Sequence, residues 1–338
     1  MSVNSNGRPI VAMVLGDPAG IGPELVAKLL AVPEARAAAG IFIIGDRNEL
    51  ERGRRIAGTE FPLATAASFE AADFSRGVPV LMHFDGAAGG FPHGVVSAAA
   101  GKYCLETLEM ALELTRSGKT SATCFAPLNK SALHAAGMSQ SDALHWYAAK
   151  IGFKGPIRQF NVLGDLWTAR VTSHVAHKEV SSLLTAEKVA DAIEQIHDML
   201  RQAGVAAPRV AVCGLNPHNG DNGAFGTEET DIIEPGIRLA AARGKASQGP
   251  FPGDTIFIKA REGLYDAVVT MYHDQGQIAM KLMGFDHGVT VYGGLPIPVT
   301  LTSHGTAFDI AGQGKADVGS LKEAFFLACR MAAWRERR

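Results

Sequence analysis

Three histidines each stand just past a short apolar run: His174 in Val171-Thr172-Ser173-His174, His218 in Cys213-Gly214-Leu215-Asn216-Pro217-His218, and His273 in Met271-Tyr272-His273-Asp274-Gln275-Gly276. Ligands of parallel α/β sheets bind at the carboxyl ends of strands, so these positions are where chemistry is expected. Three imidazoles with one open position suit a catalytic divalent metal, and nitrogen donors favour zinc or a later first-row metal over magnesium. The spacing matches no local metal motif, and a lone histidine after a strand also serves as a cap or hydrogen-bonding residue. Other polar groups sit at similar points: Asp254 after Gly249-Pro250-Phe251-Pro252-Gly253, Lys130 in Ala126-Pro127-Leu128-Asn129-Lys130, and Lys281 beyond His273. Taken singly, each also reads as a solvated surface residue. Near the end, Ser303-His304-Gly305-Thr306-Ala307-Phe308-Asp309-Ile310-Ala311-Gly312 is dense in glycine and hydrogen-bonding side chains. Its carboxylate could accept both hydroxyls of a ribose, and a plain turn before a helix is the competing account.

A second constellation fails its own test. A strand, a glycine-rich turn and a helix open the chain as a dinucleotide-binding βαβ unit would. The turn reads Gly16-Asp17-Pro18-Ala19-Gly20-Ile21-Gly22-Pro23-Glu24-Leu25, and counting G-x-G-x-x-G from Gly20 puts Leu25 where the third glycine belongs. Pro23 removes one backbone N–H from the helix start that would cradle a pyrophosphate. A tight turn packing a helix on its strand fits better.

The elements that must position these residues alternate along the chain. Ile10–Leu15, Ile41–Ile44, Val78–Phe84, Thr120–Phe125, Arg158–Leu163, Thr168–Thr172, Val210–Cys213 and Ala267–Met271 read as strands. Gly20–Ala31, Ser97–Ser117, a segment capped by Thr185 and Gly319–Trp334 read as helices. Alternation of this kind implies mostly parallel sheets covered on both faces. At 338 residues two domains are expected, and the lack of a linker suggests several crossings with a ligand cleft between them.

Composition narrows the function classes. Apolar residues are 47%, charged residues 20%, and the net charge is −2, so no one-sign field exists to recruit nucleic acid or an anionic membrane. No apolar run approaches the roughly 18 residues of a membrane span. The polar start lacks a signal-peptide pattern, and Cys104, Cys124, Cys213 and Cys329 read as reduced, buried thiols, which together point to the cytoplasm.

Taken together the segments resemble the 4-hydroxythreonine-4-phosphate dehydrogenase (PdxA) family. The matching pieces are Gly16 through Glu24, Ala126 through Lys130, Cys213 through His218, Met271 through Gly276, and His304-Gly305-Thr306-Ala307 through Gly314-Lys315-Ala316-Asp317, in the family's order. The resemblance implies an α/β fold like that of isocitrate and isopropylmalate dehydrogenases, two domains around a cleft, paired as a homodimer. On that basis the nucleotide-side domain is expected at 1–130 plus 285–338 and the metal and dimerisation domain at 131–284. It implies a metal held by His174, His218 and His273, in a site shared across the dimer, with zinc favoured over magnesium, manganese, cobalt or nickel. The loop at His304, Gly305, Thr306, Ala307 and Asp309 is similar to the adenosine-binding loop of isopropylmalate dehydrogenases, and a carboxylate at Asp309 favours NAD over NADP.

The departures carry information of their own. The family's substrate-binding His-Thr pair falls at Ala143 and Leu144, and its asparagine and arginine fall at Thr290 and Val299. Valine cannot replace a guanidinium's bidentate grip on an anion, which points away from tight binding of the family's phosphorylated substrate. Lys130, Lys281, Thr290, Asp142 and His145 are the candidate substrate contacts, although Asp142 and His145 also suit a helix cap. Asp254, Asp274 and Lys281 are candidate bases, unranked. The expected activity is an NAD-linked, metal-dependent oxidation of a small hydroxy acid, followed by decarboxylation where a β-keto acid results. The expected substrate is 4-hydroxythreonine-4-phosphate or a related four-carbon acid phosphate or, alternatively, an unphosphorylated diol acid such as an aromatic cis-dihydrodiol carboxylate. A zinc hydrolase or a binding protein without redox chemistry is the alternative of another class.

Overall fold

The computed structural model describes residues 3–4, 6–86, 90–284 and 287–335. The chain divides into two compact units, Met1–Ile157 with Val289–Arg338, and Arg158–Gly288. Their boundaries lie later than the expected 130/131 and 284/285. The physical reason at the first is that residues 131–157 bury Leu133, Leu144, Trp146 and Tyr147 in the core of the first unit.

The first unit opens with β1 (Ile10–Val14), α1 (Gly22–Ala31), α2 (Pro33–Ala38), β2 (Gly40–Gly45) and α3 (Arg47–Ala57). Strands β3 (Ala64–Ala66) and β4 (Val80–His83), helix α4 (Ala98–Arg116), β5 (Ala122–Phe125), α5 (Lys130–Ala135) and α6 (Ala143–Lys150) follow. Every residue of β1 and β2 is buried, as a strand covered on both faces requires. Helix α1 starts at Gly22, two residues later than its apolar spacing suggests, because 18–21 form a turn. The glycines of that turn serve close chain crossings. A Cβ on Gly16 (φ +73°) would lie 2.5 Å from the Pro127 carbonyl, and one on Gly22 would lie 2.1 Å from that of Leu15. The tight packing turn, not a Rossmann loop, is what this sequence builds.

The second unit holds β6 (Arg158–Leu163), β7 (Leu166–Arg170), α7 (Val180–Leu183), α8 (Ala186–Gln202), β8 (Val210–Cys213), α9 (Glu234–Ala242), β9 (Gln248–Phe251), α10 (Ile256–Arg261), β10 (Ala267–Thr270) and α11 (His273–Gly284). Strands β6 and β7 form an antiparallel hairpin with Leu163 opposite Leu166, closed by Gly164-Asp165. This places β7 two residues earlier than its apolar pattern suggested. The remaining pairs, β7–β10, β10–β8 and β8–β9, are parallel.

The chain then returns to the first unit as β11 (Val289–Gly293), β12 (Val299–Thr302) and α12 (Gly319–Arg335). Strand β12 pairs in parallel with β5 and antiparallel with β11, giving the order β3-β4-β2-β1-β5-β12-β11. Both units are α/β with mostly parallel sheets, as expected. All four cysteines are free and buried. No described helix is long and apolar enough to cross a membrane.

Candidate functional site

In the second unit the carboxyl ends of β7, β8 and β10 lie side by side, and each leads into one of the three histidines. Thr172, two residues before His174, donates to the Met271 carbonyl from its backbone N–H at 3.1 Å and from Oγ1 at 2.8 Å. That double contact fixes the His174 segment against the His273 segment, and the two imidazoles face each other with ring centroids 5.5 Å apart. His273 opens α11, and its Nδ1 lies 2.7 Å from Asp274 Oδ1. A carboxylate at Nδ1 selects the tautomer that leaves the Nε2 lone pair available, the usual arrangement behind a metal-bound imidazole. His174 (φ 54°) and His218 (φ 53°) both adopt the left-handed conformation that side chains with a Cβ rarely take. Such strain costs on the order of 1–3 kcal/mol per residue and gathers at functional positions.

His218 stands on the wall of a cavity of about 940 Å³, with Asp254, Asp274, Gln275, Tyr272 and His177 around it. His177 packs edge-on against Tyr272, with centroids 5.2 Å apart. Asp254 is exposed to solvent, as is Lys281 farther along α11. The geometry thus groups His174 with His273, and His218 with Asp254 and Asp274 at the cavity. Among the described residues no three His, Cys, Asp or Glu side chains stand close enough to enclose an ion within one chain. The donors present fit a divalent metal in their chemistry: a facing imidazole pair, one ring backed by a carboxylate. A complete set requires a donor beyond that pair.

The first unit holds the remaining sequence-derived candidates. Lys130 is exposed at the first turn of α5, and Thr290 lies in β11 opposite Leu301, 8% exposed. Asp142 caps α6, accepting from the His145 N–H at 2.9 Å, and its Oδ1 lies 2.7 Å from His145 Nδ1. The capping role weighed for Asp142 is therefore realised. The His304–Gly312 loop is a chain of tight turns. Ile310 N–H bonds the carbonyl of Ala307, which has φ 43°, and Gln313 Nε2 donates to the Asp309 carbonyl at 2.7 Å. The Thr306 carbonyl accepts from Ile21 N–H at 3.1 Å, which stitches the loop to the turn before α1. The Asp309 side chain is exposed. In that neighbouring turn Asp17 is fully buried. Its Oδ1 accepts from Ala19 N–H at 2.9 Å, while Oδ2 has no hydrogen-bond partner among the described residues. Burial raises its pKa from 3.8 to about 6.

Residue-type reasoning missed several contributors. His177 lies one short turn beyond His174, and Gln275 lies inside the Met271–Gly276 segment, so proximity to a candidate was their only signal. Glu228 and Glu229 were invisible, because what marks them is the loop they hold. Glu229 is 2% exposed and accepts from Leu215 N–H and Asn216 N–H, both at 2.7 Å. Glu228 accepts from Ser181 Oγ and Asn216 Nδ2, and these bonds lower its pKa.

Two units of mostly parallel sheet, with imidazoles and carboxylates past the ends of β7, β8 and β10, define an α/β protein whose candidate groups stand at the carboxyl edge of its strands, where folds of this class bind ligands. Residues 37–328 match the family described as pyridoxal phosphate biosynthetic protein PdxA, and the chain belongs to that family. It is 58% identical over 332 residues to "Putative 4-hydroxythreonine-4-phosphate dehydrogenase 2" of Pseudomonas aeruginosa, covering 97% of this chain and 98% of the relative. It is 39% identical over 332 residues to the D-threonate 4-phosphate dehydrogenase of Cupriavidus necator, covering 98% and 99%. The crystal structure of 4-hydroxythreonine-4-phosphate dehydrogenase from Klebsiella pneumoniae superposes with a TM-score of 0.83 at 35% identity, covering 96% of this chain and 98% of that one.

Proposed function

We propose that this chain is an NAD-dependent, divalent-metal-dependent dehydrogenase that oxidises the hydroxyl of a small phosphorylated hydroxy acid of the 4-hydroxythreonine 4-phosphate or D-threonate 4-phosphate type. The observation that carries the reading is the facing pair His174 and His273 at adjoining strand ends, beside the cavity that His218, Asp254 and Asp274 line. The substrate class is supported by the names of the relatives. His174, His218 and His273 would hold the metal, and the loop at His304, Gly305, Thr306, Ala307 and Asp309 would hold the adenosine end of NAD. Held by those residues, a divalent cation would supply Lewis-acid polarisation of a hydroxyl and NAD would supply a hydride acceptor.

The chain's own residues do the rest. Asp274 orients the His273 ring. Asp254, which lines the cavity, takes the hydroxyl proton, while Lys281 on α11 meets the substrate's anionic groups. A carboxylate at Asp309 accepts the ribose hydroxyls and repels a 2′-phosphate. Where the oxidised carbon lies β to a carboxylate, the β-keto acid loses carbon dioxide.

A homodimer with a shared site completes the donor set. It is supported by exposed apolar side chains of the second unit, among them Leu282 (85% exposed), Ile278 (59%) and Phe225 (54%). Ile278 and Leu282 also line the cavity, so a second copy seated there would bring its residues to the same place. A cytoplasmic setting fits the four buried, unbridged thiols.

The test pairs a fluorescence titration with NADH and NADPH against a screen of hydroxy acids, with and without phosphate, following formation of reduced nicotinamide in the presence of zinc, manganese or cobalt. Saturable NADH binding and turnover of a phosphorylated acid are expected. Turnover of unphosphorylated diol acids alone would move the assignment to the second substrate class. Absence of nicotinamide binding would leave a hydrolase or binding protein.

A further inference from the structure

We infer that Gln275 is a positioning residue for the histidine donors: its side-chain amide locks the loop carrying His218 to the turn carrying His273. The inference rests on the metal-site reading above. Gln275 Oε1 accepts from Met271 N–H at 2.8 Å, and Nε2 donates to the Gly214 carbonyl at 2.8 Å. A Cβ on Gly253 would stand 2.8 Å from the same Nε2, so the amide also abuts the segment that leads to Asp254. One side chain therefore touches the backbone at the ends of β8 and β10 and just beyond β9.

The bracing continues on both sides. Beyond Met271, Thr172 fixes the His174 segment through the Met271 carbonyl. Beyond Gly214, the buried Glu229 carboxylate holds Leu215 N–H, Asn216 N–H and Asn216 Nδ2. Gly214 itself has no room for a side chain, since a Cβ there would lie 2.3 Å from Asn219 Oδ1. His218, left-handed and costly, keeps its conformation only because the surrounding contacts over-determine it.

The chemistry of the brace requires an amide. The Met271 site offers a donor and so needs an acceptor, and the Gly214 site offers a carbonyl and so needs a donor. Glutamate would set a second oxygen against the Gly214 carbonyl, and methionine would fill the volume with neither bond.

The experiment titrates the full-length protein with Co²⁺, reading the visible ligand-field absorption, and competes Zn²⁺ against a chromogenic chelator. Gln275→Glu and Gln275→Met are compared with the unaltered chain and with His218→Ala and His273→Ala, and each metal-free protein is melted. The expected result is metal binding weakened by about 10–100-fold in both Gln275 variants, with a changed cobalt spectrum. Should a Gln275 variant fail to fold, Thr172→Val removes only the hydroxyl arm of the same brace and is expected to weaken binding several-fold. Gln275 and Thr172 variants that bind cobalt with the original affinity and spectrum, while the histidine variants do not, would overturn this inference alone. No cobalt binding by the unaltered chain would sink the metal reading itself and the brace with it.

Discussion

At the scale of single residues, Asp17 makes a sharp prediction about pH. Its buried carboxyl keeps its proton up to about pH 6 in the folded chain, whereas the unfolded carboxyl releases it near 3.8. Between those values the folded state holds the extra proton, so this residue's contribution to stability falls as pH rises through that window and stays low above it. Asp17→Asn keeps an oxygen for the Ala19 N–H and removes the buried charge. It is expected to raise stability at pH 8 by on the order of 2–3 kcal/mol and to flatten the slope between pH 4 and 6, as read by denaturant melts across that range. An unchanged slope would show that the Asp17 carboxyl does not titrate in that window. Strand-end histidines were legible in the sequence because a polar residue just past an apolar run is visible without coordinates. Asp17 was not, since nothing in Gly16-Asp17-Pro18 tells a buried carboxyl from an exposed one.

At the scale of elements, the caps carry testable weight. Asp142→Ala removes the acceptor of the His145 N–H in the first turn of α6 and the partner of the His145 ring, and should take about 1 kcal/mol from the first unit. A lowered melting temperature with an unchanged KM would make Asp142 a cap only, and a raised KM would give it a substrate contact as well. Strands β6 and β8 fall where their apolar runs put them. Strand β7 does not, because the pattern marks which residues are buried and not where pairing begins. Leu166 and Trp167 pair across the two-residue turn before the apolar run is established. The same limit hid the histidine brace. A backbone carbonyl such as that of Gly214 has no signature in residue type, and only the packing of β8 beside β10 turns Gln275 into its partner.

At the scale of the whole molecule, an α/β chain in two units was readable from alternation and length, while the crossing points were not. Helices α5 and α6 carry candidate substrate residues, yet their apolar faces belong to the first unit's core. Core membership is decided by three-dimensional neighbours, which spacing alone does not give. The proposed dimer makes its own prediction here. Leu282→Asp places a charge on an apolar residue that is 85% exposed in the single chain, so it should leave the folded unit intact. Sedimentation is expected to show a shift from dimer to monomer, with a loss of turnover of at least tenfold. A variant that stays dimeric and active would move the interface elsewhere.

The pairing of β5 with β12 sets a timetable for birth on the ribosome. Thr123 in β5 pairs early with Ala12 in β1, but finds its second neighbour only when Val299 has been made, a wait of roughly 10–35 s at ordinary rates of synthesis. Through that interval one flank of β5 is an open edge of fully buried-type residues, available to any other strand nearby. Nascent chains that stop short of β12 should therefore be the ones that engage chaperones or aggregate, whereas Arg158–Gly288 emerges with all its own strands in sequence.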